Sequence, residues 1–283
     1  MSYVLEISRL NAVLTAAPSA APLLHDVSLK VASSEVYGLV GMSGAGKSMI
    51  AKAVLGVLPP SVCITSGSIG FEGNEIVGRS RQDMRQLLAR GIALIPQDPL
   101  TALNPTRRIE HQLTDVMRSR LGLSTAAARG RALGLLDEVQ IRDPVSILRR
   151  YPHELSGGQR QRVLIAIAFS CEPRLIIADE PTTALDVTVQ KQILRLIHRL
   201  RRQHATAILL VTHDFGVVAK ICDRVSVMHA GTIVEEGTVA EVLSAPKHPF
   251  TRALLAATPR HDRPNQELRP VPDAFQQAAG MLR

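Results

Sequence analysis

Residues 41–48 read GMSGAGKS, a spacing suited to holding phosphate. Gly41, Gly44 and Gly46 let consecutive backbone N–H groups curl around an anion where a Cβ would clash. Ser43, Ala45 and Met49 complete the run, and a helix opening there adds partial positive charge. Lys47 is placed to neutralise the β and γ oxygens of a nucleotide, and the Ser48 hydroxyl to hold Mg²⁺. A second cluster follows the apolar run 175–178, which ends in Asp179 and Glu180. Two carboxylates closing a buried strand are costly unless a cation or proton waits there. Asp179 would reach Mg²⁺ through its water shell, and Glu180 could polarise a water attacking the γ-phosphate. A third cluster, Leu155-Ser156-Gly157-Gly158-Gln159, joins a good N-cap to glycines that expose N–H groups. It is a second anion site, which one nucleotide does not need from one chain.

Leu155 to Gln159, followed by Arg160-Gln161-Arg162, resembles the signature motif of ATP-binding cassette (ABC) proteins. The resemblance covers roughly residues 3–259. It implies an α/β P-loop NTPase fold with a RecA-like core, an antiparallel β subdomain and a helical signature subdomain. It implies ATP and Mg²⁺ as cofactors, with the signature closing over ATP held by another subunit. Gln97 resembles the Q-loop glutamine that senses Mg²⁺ and the attacking water and contacts a permease. Ala184-Leu185-Asp186 resembles the D-loop at the dimer interface, and His213 the switch histidine that bonds the γ-phosphate. The catalytic set implied is Glu180, His213 and Gln97, with Ser48, Gln97 and Asp179 around the metal.

Residues 97–105 (QDPLTALNP), 151–154 (YPHE), 178–189 (ADEPTTALDVTV) and 248–255 (HPFTRALL) resemble the oligopeptide/dipeptide/nickel importer ATPases. That resemblance implies a second ATPase subunit as a different chain, two transmembrane permeases and an external substrate-binding protein. It places the chain peripherally on the cytoplasmic face of the bacterial inner membrane. Peptide, dipeptide, nickel and metal–chelator cargo all stay open, and the short tail is similar to the nickel branch. Two features depart from the family pattern. Leu14 stands where many members stack an aromatic ring on adenine, with Tyr3 as a possible substitute. The C-terminal extension lacks the cysteine cluster of many oligopeptide-type subunits, so no iron–sulfur cluster is expected.

The elements that must position these groups show in the hydrophobic rhythm. Alternation predicts strands over 4–7 and 23–31, with a Pro/Ala/Ser loop at 16–22 between them. A short apolar strand over 36–40 leads into the glycine loop, and helical spacing runs over 47–58 until Pro59-Pro60. Strands are predicted at 68–71, 92–95, 175–178, 207–211, 224–228 and 232–235. Helices are predicted at 109–121, 126–139, 163–169 and 188–202, so 98–172 reads as a helical insertion. Strand–helix alternation predicts a parallel sheet covered on both faces. The segments are 1–97 (first part of the core), 98–172 (helical subdomain), 173–235 (second part of the core) and 236–283 (C-terminal extension). Residues 260–283 are Pro/Gln/Arg-rich and read as loosely ordered.

The chain has 283 residues with a formal charge of +8 and an aromatic content of 3%. So few aromatics, and no tryptophan, argue against a base-stacking surface, and nucleic acid is not an expected partner. A basic surface facing anionic lipid is the alternative reading of the charge. Three scattered cysteines exclude a disulfide framework and point to buried small hydrophobes. No apolar run is long enough to span a bilayer and no secretory signal is visible, so a soluble cytoplasmic protein is expected. The competing class is a cassette ATPase acting on nucleic acid or ribosomes, or one tied to regulation or export. The interval between loop and signature lacks the heptads of the repair type, and a single cassette is unlike the translation type.

Overall fold

The computed structural model describes residues 2–15, 22–183 and 185–258, and positions 271, 272 and 275. The loop at 16–22 and the tail beyond 258 therefore lie almost wholly outside the described residues, as does Ala184. Two compact units divide the chain: residues 1–84 with 207–283, and 85–206 inserted between them in sequence.

The first unit opens with β1 (Tyr3–Leu14), β2 (Leu24–Ala32), β3 (Val36–Gly41), α1 (Lys47–Val54), β4 (Val62–Phe71) and β5 (Asn74–Glu75). Strand β1 pairs antiparallel with both β2 and β4, giving the order β2-β1-β4-β5. It runs seven residues beyond the stretch the alternation predicts, because a bulge changes its parity. Leu5 and Ile7 are buried on one side of the bulge and Leu10 and Ala12 on the other. Arg9 at φ 46°, Asp26 at φ 48° and Gly67 at φ 92° form that break, where the pairing shifts register. Gly67 is required there, since a Cβ would lie 2.4 Å from the Arg9 carbonyl oxygen.

Helix α2 (Arg81–Gly91) leads into the second unit. There follow β6 (Ile92–Ile95), α3 (Pro99–Ala102), α4 (Ile109–Leu121), α5 (Thr125–Glu138), α6 (Pro144–Arg149), α7 (Gly157–Phe169), β7 (Leu175–Asp179) and α8 (Val187–His204). Strands β6 and β7 are parallel, from Ile92 opposite Leu175 to Ile95 opposite Ala178. Between them in sequence lie helices α3 to α7, of which α4, α5 and the second half of α7 fall on the predicted helical stretches. The chain then returns to the first unit through β8 (Ala207–Thr212), α9 (Phe215–Ile221), β9 (Arg224–His229), β10 (Thr232–Thr238), α10 (Val239–Ser244) and α11 (Pro249–Ala256).

In the first unit β3 lies between β8 and β9, parallel to both, and all six of its residues are buried. A strand covered on both faces needs a continuous apolar run, which is what 36–40 shows. Helix α1 stops four residues short of the predicted 58. Gly56 at φ +64° turns the chain, and the Val57 N–H bonds the Lys52 carbonyl, so a glycine cap rather than Pro59 ends it.

Candidate functional site

In the first unit the glycine loop joins the carboxyl end of β3 to the start of α1. Lys47 is buried and folds back over the loop, its Nζ donating to the Gly41 and Met42 carbonyls, each at 2.8 Å. A cation held this way is aimed at the anion the loop would take. The glycines answer to neighbours as well as to phosphate. A Cβ on Gly41 would lie 2.2 Å from the Met228 carbonyl oxygen of β9. Gly46 sits at φ +101°, where a Cβ would lie 2.8 Å from Met228 Cε.

The loop is also pinned by a turn that is not among the predicted elements. Ala230 and Gly231, at φ 45° and 78°, make a two-residue hairpin between β9 and β10. The Gly231 N–H donates to the Ala45 carbonyl at 3.0 Å, and the Gly231 carbonyl accepts from the His25 N–H at 2.9 Å. The signal was present as a lone glycine between two apolar runs.

His213 follows β8, whose Thr212 pairs with Val40. It is exposed and stands level with Gly41, at the strand ends where ligands bind in parallel sheets. Leu14 is exposed at one end of β1, and Tyr3 lies at the other, opposite Ala32. The loop is at the Leu14 end, because Ala12 pairs with Leu24, whose Cδ2 would meet a Cβ on Gly46 at 3.0 Å. With about 3.3 Å per residue, β1 holds Tyr3 roughly 35 Å away along the strand, where Lys30 sits over its ring. Tyr3 therefore does not substitute for the missing adenine ring.

The second unit brings Gln97 and Glu180 together. Gln97 and Glu180 each follow a paired residue, Ile95 and Ala178, by two positions, so the parallel register brings them level. Gln97 Nε2 donates to Glu180 Oε2 at 3.1 Å, and Thr183 Oγ1 donates to the same oxygen at 3.0 Å. Glu180 has φ 45°, a left-handed conformation that costs on the order of 1 kcal/mol or more and recurs at functional sites. Two donors thus fix Oε2 and with it the orientation of the carboxylate.

The signature segment is built as predicted. Ser156 Oγ accepts from the Gln159 N–H at 3.3 Å, and Gln159 Oε1 accepts from the Ser156 N–H at 3.0 Å. Gly158 packs closely on α8, where a Cβ would lie 3.2 Å from Val189 Cγ1, and Gly157 lies beside Leu185. Gln161 donates to the Pro181 carbonyl at 2.8 Å, tying α7 to the residue after Glu180. Asp186 is taken up as the N-cap of α8, accepting from Thr188 and Val189.

Each unit contributes part of the predicted set: residues 41–49 and His213 in the first, Gln97, 156–159, Asp179, Glu180 and Asp186 in the second. Of the metal set that the resemblance implies, the Ser48 hydroxyl belongs to the first unit, and the Gln97 amide oxygen and the Asp179 carboxylate to the second. A hard, carboxylate-poor oxygen set fits Mg²⁺, which keeps waters and leans on substrate phosphates. No cluster of three His, Cys, Asp or Glu that could hold a metal ion occurs among the described residues.

The ABC transporter family model matches residues 24–183, and that for the oligopeptide/dipeptide transporter C-terminal region matches residues 234–281. The chain is 49% identical over 250 residues to the probable D,D-dipeptide transport ATP-binding protein DdpD of Escherichia coli, covering 88% of this chain and 76% of that one. It is 41% identical to the dipeptide transport ATP-binding protein DppD of Bacillus subtilis, over 99% of this chain and 85% of that one. Among solved structures, cbiO1 from Clostridium perfringens, part of the cbiONQ transporter complex, superposes with a TM-score of 0.75 at 26% identity. That match covers 87% of this chain and 92% of that chain.

Proposed function

We propose, from the premise that this chain belongs to the ABC transporter family of ATP-binding proteins, that its ATPase activity powers uptake of peptides across a membrane. The matched C-terminal family region and the dipeptide-transport relatives support peptide cargo over nickel or a metal chelate. No observation favours the nucleic-acid or ribosome alternative. Among the described residues no helix is long and apolar enough to cross a membrane, so permease subunits would supply the path.

The geometry supports the following residue roles. The 41–48 loop and Lys47 hold the β and γ phosphates, and Ser48 with Asp179 hold Mg²⁺, whose contribution when bound is to neutralise charge on the phosphate oxygens. Glu180, oriented by Gln97 and Thr183, takes the proton of the attacking water. His213, level with Gly41, donates to the γ-phosphate. The capped N-terminus of α7 is a second anion site, and it closes over ATP bound by a second cassette. Two nucleotides then bridge a pair of cassettes, closing it when bound and releasing it after hydrolysis.

The observation that carries the hydrolytic role is the Glu180 carboxylate clamped through one oxygen by Gln97 and Thr183. Glu180→Gln keeps the size and hydrogen-bonding capacity but removes the base. In the assembled transporter, ATP turnover is expected to fall about 10²–10⁴-fold while ATP stays bound. Undiminished turnover overturns the assignment.

A further inference from the structure

The basic excess of the chain is confined to one unit. Residues 85–206 hold 19 Lys/Arg against 11 Asp/Glu, whereas the rest of the chain holds 14 of each. Within that basic unit a cavity of about 280 Å³ opens beside the second turn of α7. Arg142, Arg150 and Arg162 line it, with Gln140, Ser146 and Gln159 as neutral polar walls.

The three guanidiniums are not neutralised. Arg162 is half-buried and donates to the Val139 carbonyl at 2.6 Å, Gln140 Oε1 at 3.3 Å and Gln192 Oε1 at 3.1 Å, none of them a carboxylate. Burial and the neighbouring Arg199 hold its pKa below the ordinary arginine value, a sign that its charge lacks compensation. Arg142 and Arg150 have no ion-pair partner among the described residues. The one acid in the wall, Asp143, turns its Oδ1 to the Ser146 N–H at 3.1 Å as the N-cap of α6.

We propose that this cavity binds a phosphate-bearing anion at a site separate from the nucleotide loop. A group with two or more negative charges answers three guanidiniums and one carboxylate, which a single carboxylate ligand would not. The planar forks of arginine match phosphate oxygens in bidentate fashion. The volume lies just under that of pockets for drug-sized ligands, enough for a diphosphate or a phosphodiester headgroup. Gln159 lines the cavity and also caps the Ser156 N–H, so the occupant touches the helix whose first turn is the signature. The proposal stands on the cavity and its charges, independently of the ATPase reading.

The test uses the full chain carrying Lys47→Ala, so that the nucleotide loop does not mask a second phosphate site. Titration calorimetry with inorganic pyrophosphate at low salt should show binding. Adding Arg142→Gln and Arg150→Gln should weaken it about a hundredfold or more, since two charge-assisted hydrogen bonds are lost together. The paired Arg→Lys variants, which keep the charge but lose the planar fork, should bind between the parent and the Gln variant and show that the fold is intact. A parallel arm sediments the same proteins with vesicles of phosphatidylglycerol in phosphatidylcholine. Loss of vesicle binding in the Gln variant assigns the site to a lipid headgroup, and loss of pyrophosphate binding alone assigns it to a soluble phosphate compound. Unchanged affinity for both probes overturns the proposal.

Discussion

Gly41 is fixed by the β9 backbone as firmly as by any ligand, because the Met228 carbonyl leaves no space for a methyl group. Gly41→Ala should therefore destabilise the protein by about 1–3 kcal/mol even without nucleotide, seen as a lower urea midpoint. A role confined to phosphate contact predicts no change in that midpoint. Leu14 offers the complementary test. Leu14→Tyr places a ring at the end of β1 that adjoins the loop, and ATP affinity should rise by about 1–3 kcal/mol, measured by fluorescent-nucleotide titration. Tyr3→Ala, at the far end of that strand, should leave affinity unchanged. The types of these residues were readable in the sequence, but not every contact was. The Gln97–Glu180 bond follows from a parallel register between strands that are about eighty residues apart, and no local pattern encodes it.

Among the elements, helix α4 has the predicted ends, closed by Gly122 in the left-handed conformation. Helix α7 follows the serine read as its cap but starts six residues before the 163–169 stretch that the spacing predicts. Strand β1 was half-read, because a bulge that reverses parity looks like the end of alternation. Helix α9 was missed: at seven residues it shows less than two turns of any pattern. The His248-Pro249-Phe250 run also gains a physical reason. His248 Nδ1 accepts from the Phe250 N–H, Pro249 opens α11, and Phe250 is fully buried. Glu235 accepts from the Lys247 and His248 N–H groups and so fastens the entry to the helix.

Beneath that helix lies an element-scale weakness. His229 stacks on Phe250 at 4.1 Å with its Nδ1 buried and unbonded among the described residues. Burial, and then the proximity of His248, lower its pKa below 6.5. A lowered histidine pKa means the unfolded chain takes the proton first, so this contribution is whole above about pH 6.5 and declines as pH falls below it. His229→Leu should flatten the melting temperature between pH 7 and 5 relative to the parent. Equal pH slopes in the two proteins exclude this role for His229.

For the whole molecule, each chain presents one phosphate loop and one signature, and the proposed site needs the loop of one with the signature of another. ATPase activity per chain should therefore rise with protein concentration and rise further on adding the partner cassette. A constant specific activity across a hundredfold dilution, on the order of the range in which weak association melts away, contradicts the shared site. The separation of charge between the units was countable from the sequence only once the structure had drawn the boundary at 85–206.

Strand β3, which feeds the phosphate loop, also carries a consequence for how the protein is made. Its two neighbours, β8 and β9, arrive from beyond residue 206, with Val36 pairing to Ile208. At about 5–20 residues per second, a ribosome leaves this wholly apolar strand without its sheet for roughly ten to thirty seconds. The inserted 85–206 unit emerges whole within that wait and can fold first. A nascent chain halted near residue 206 should then carry a finished helical unit and a sticky, unpaired β3, the form most in need of a chaperone.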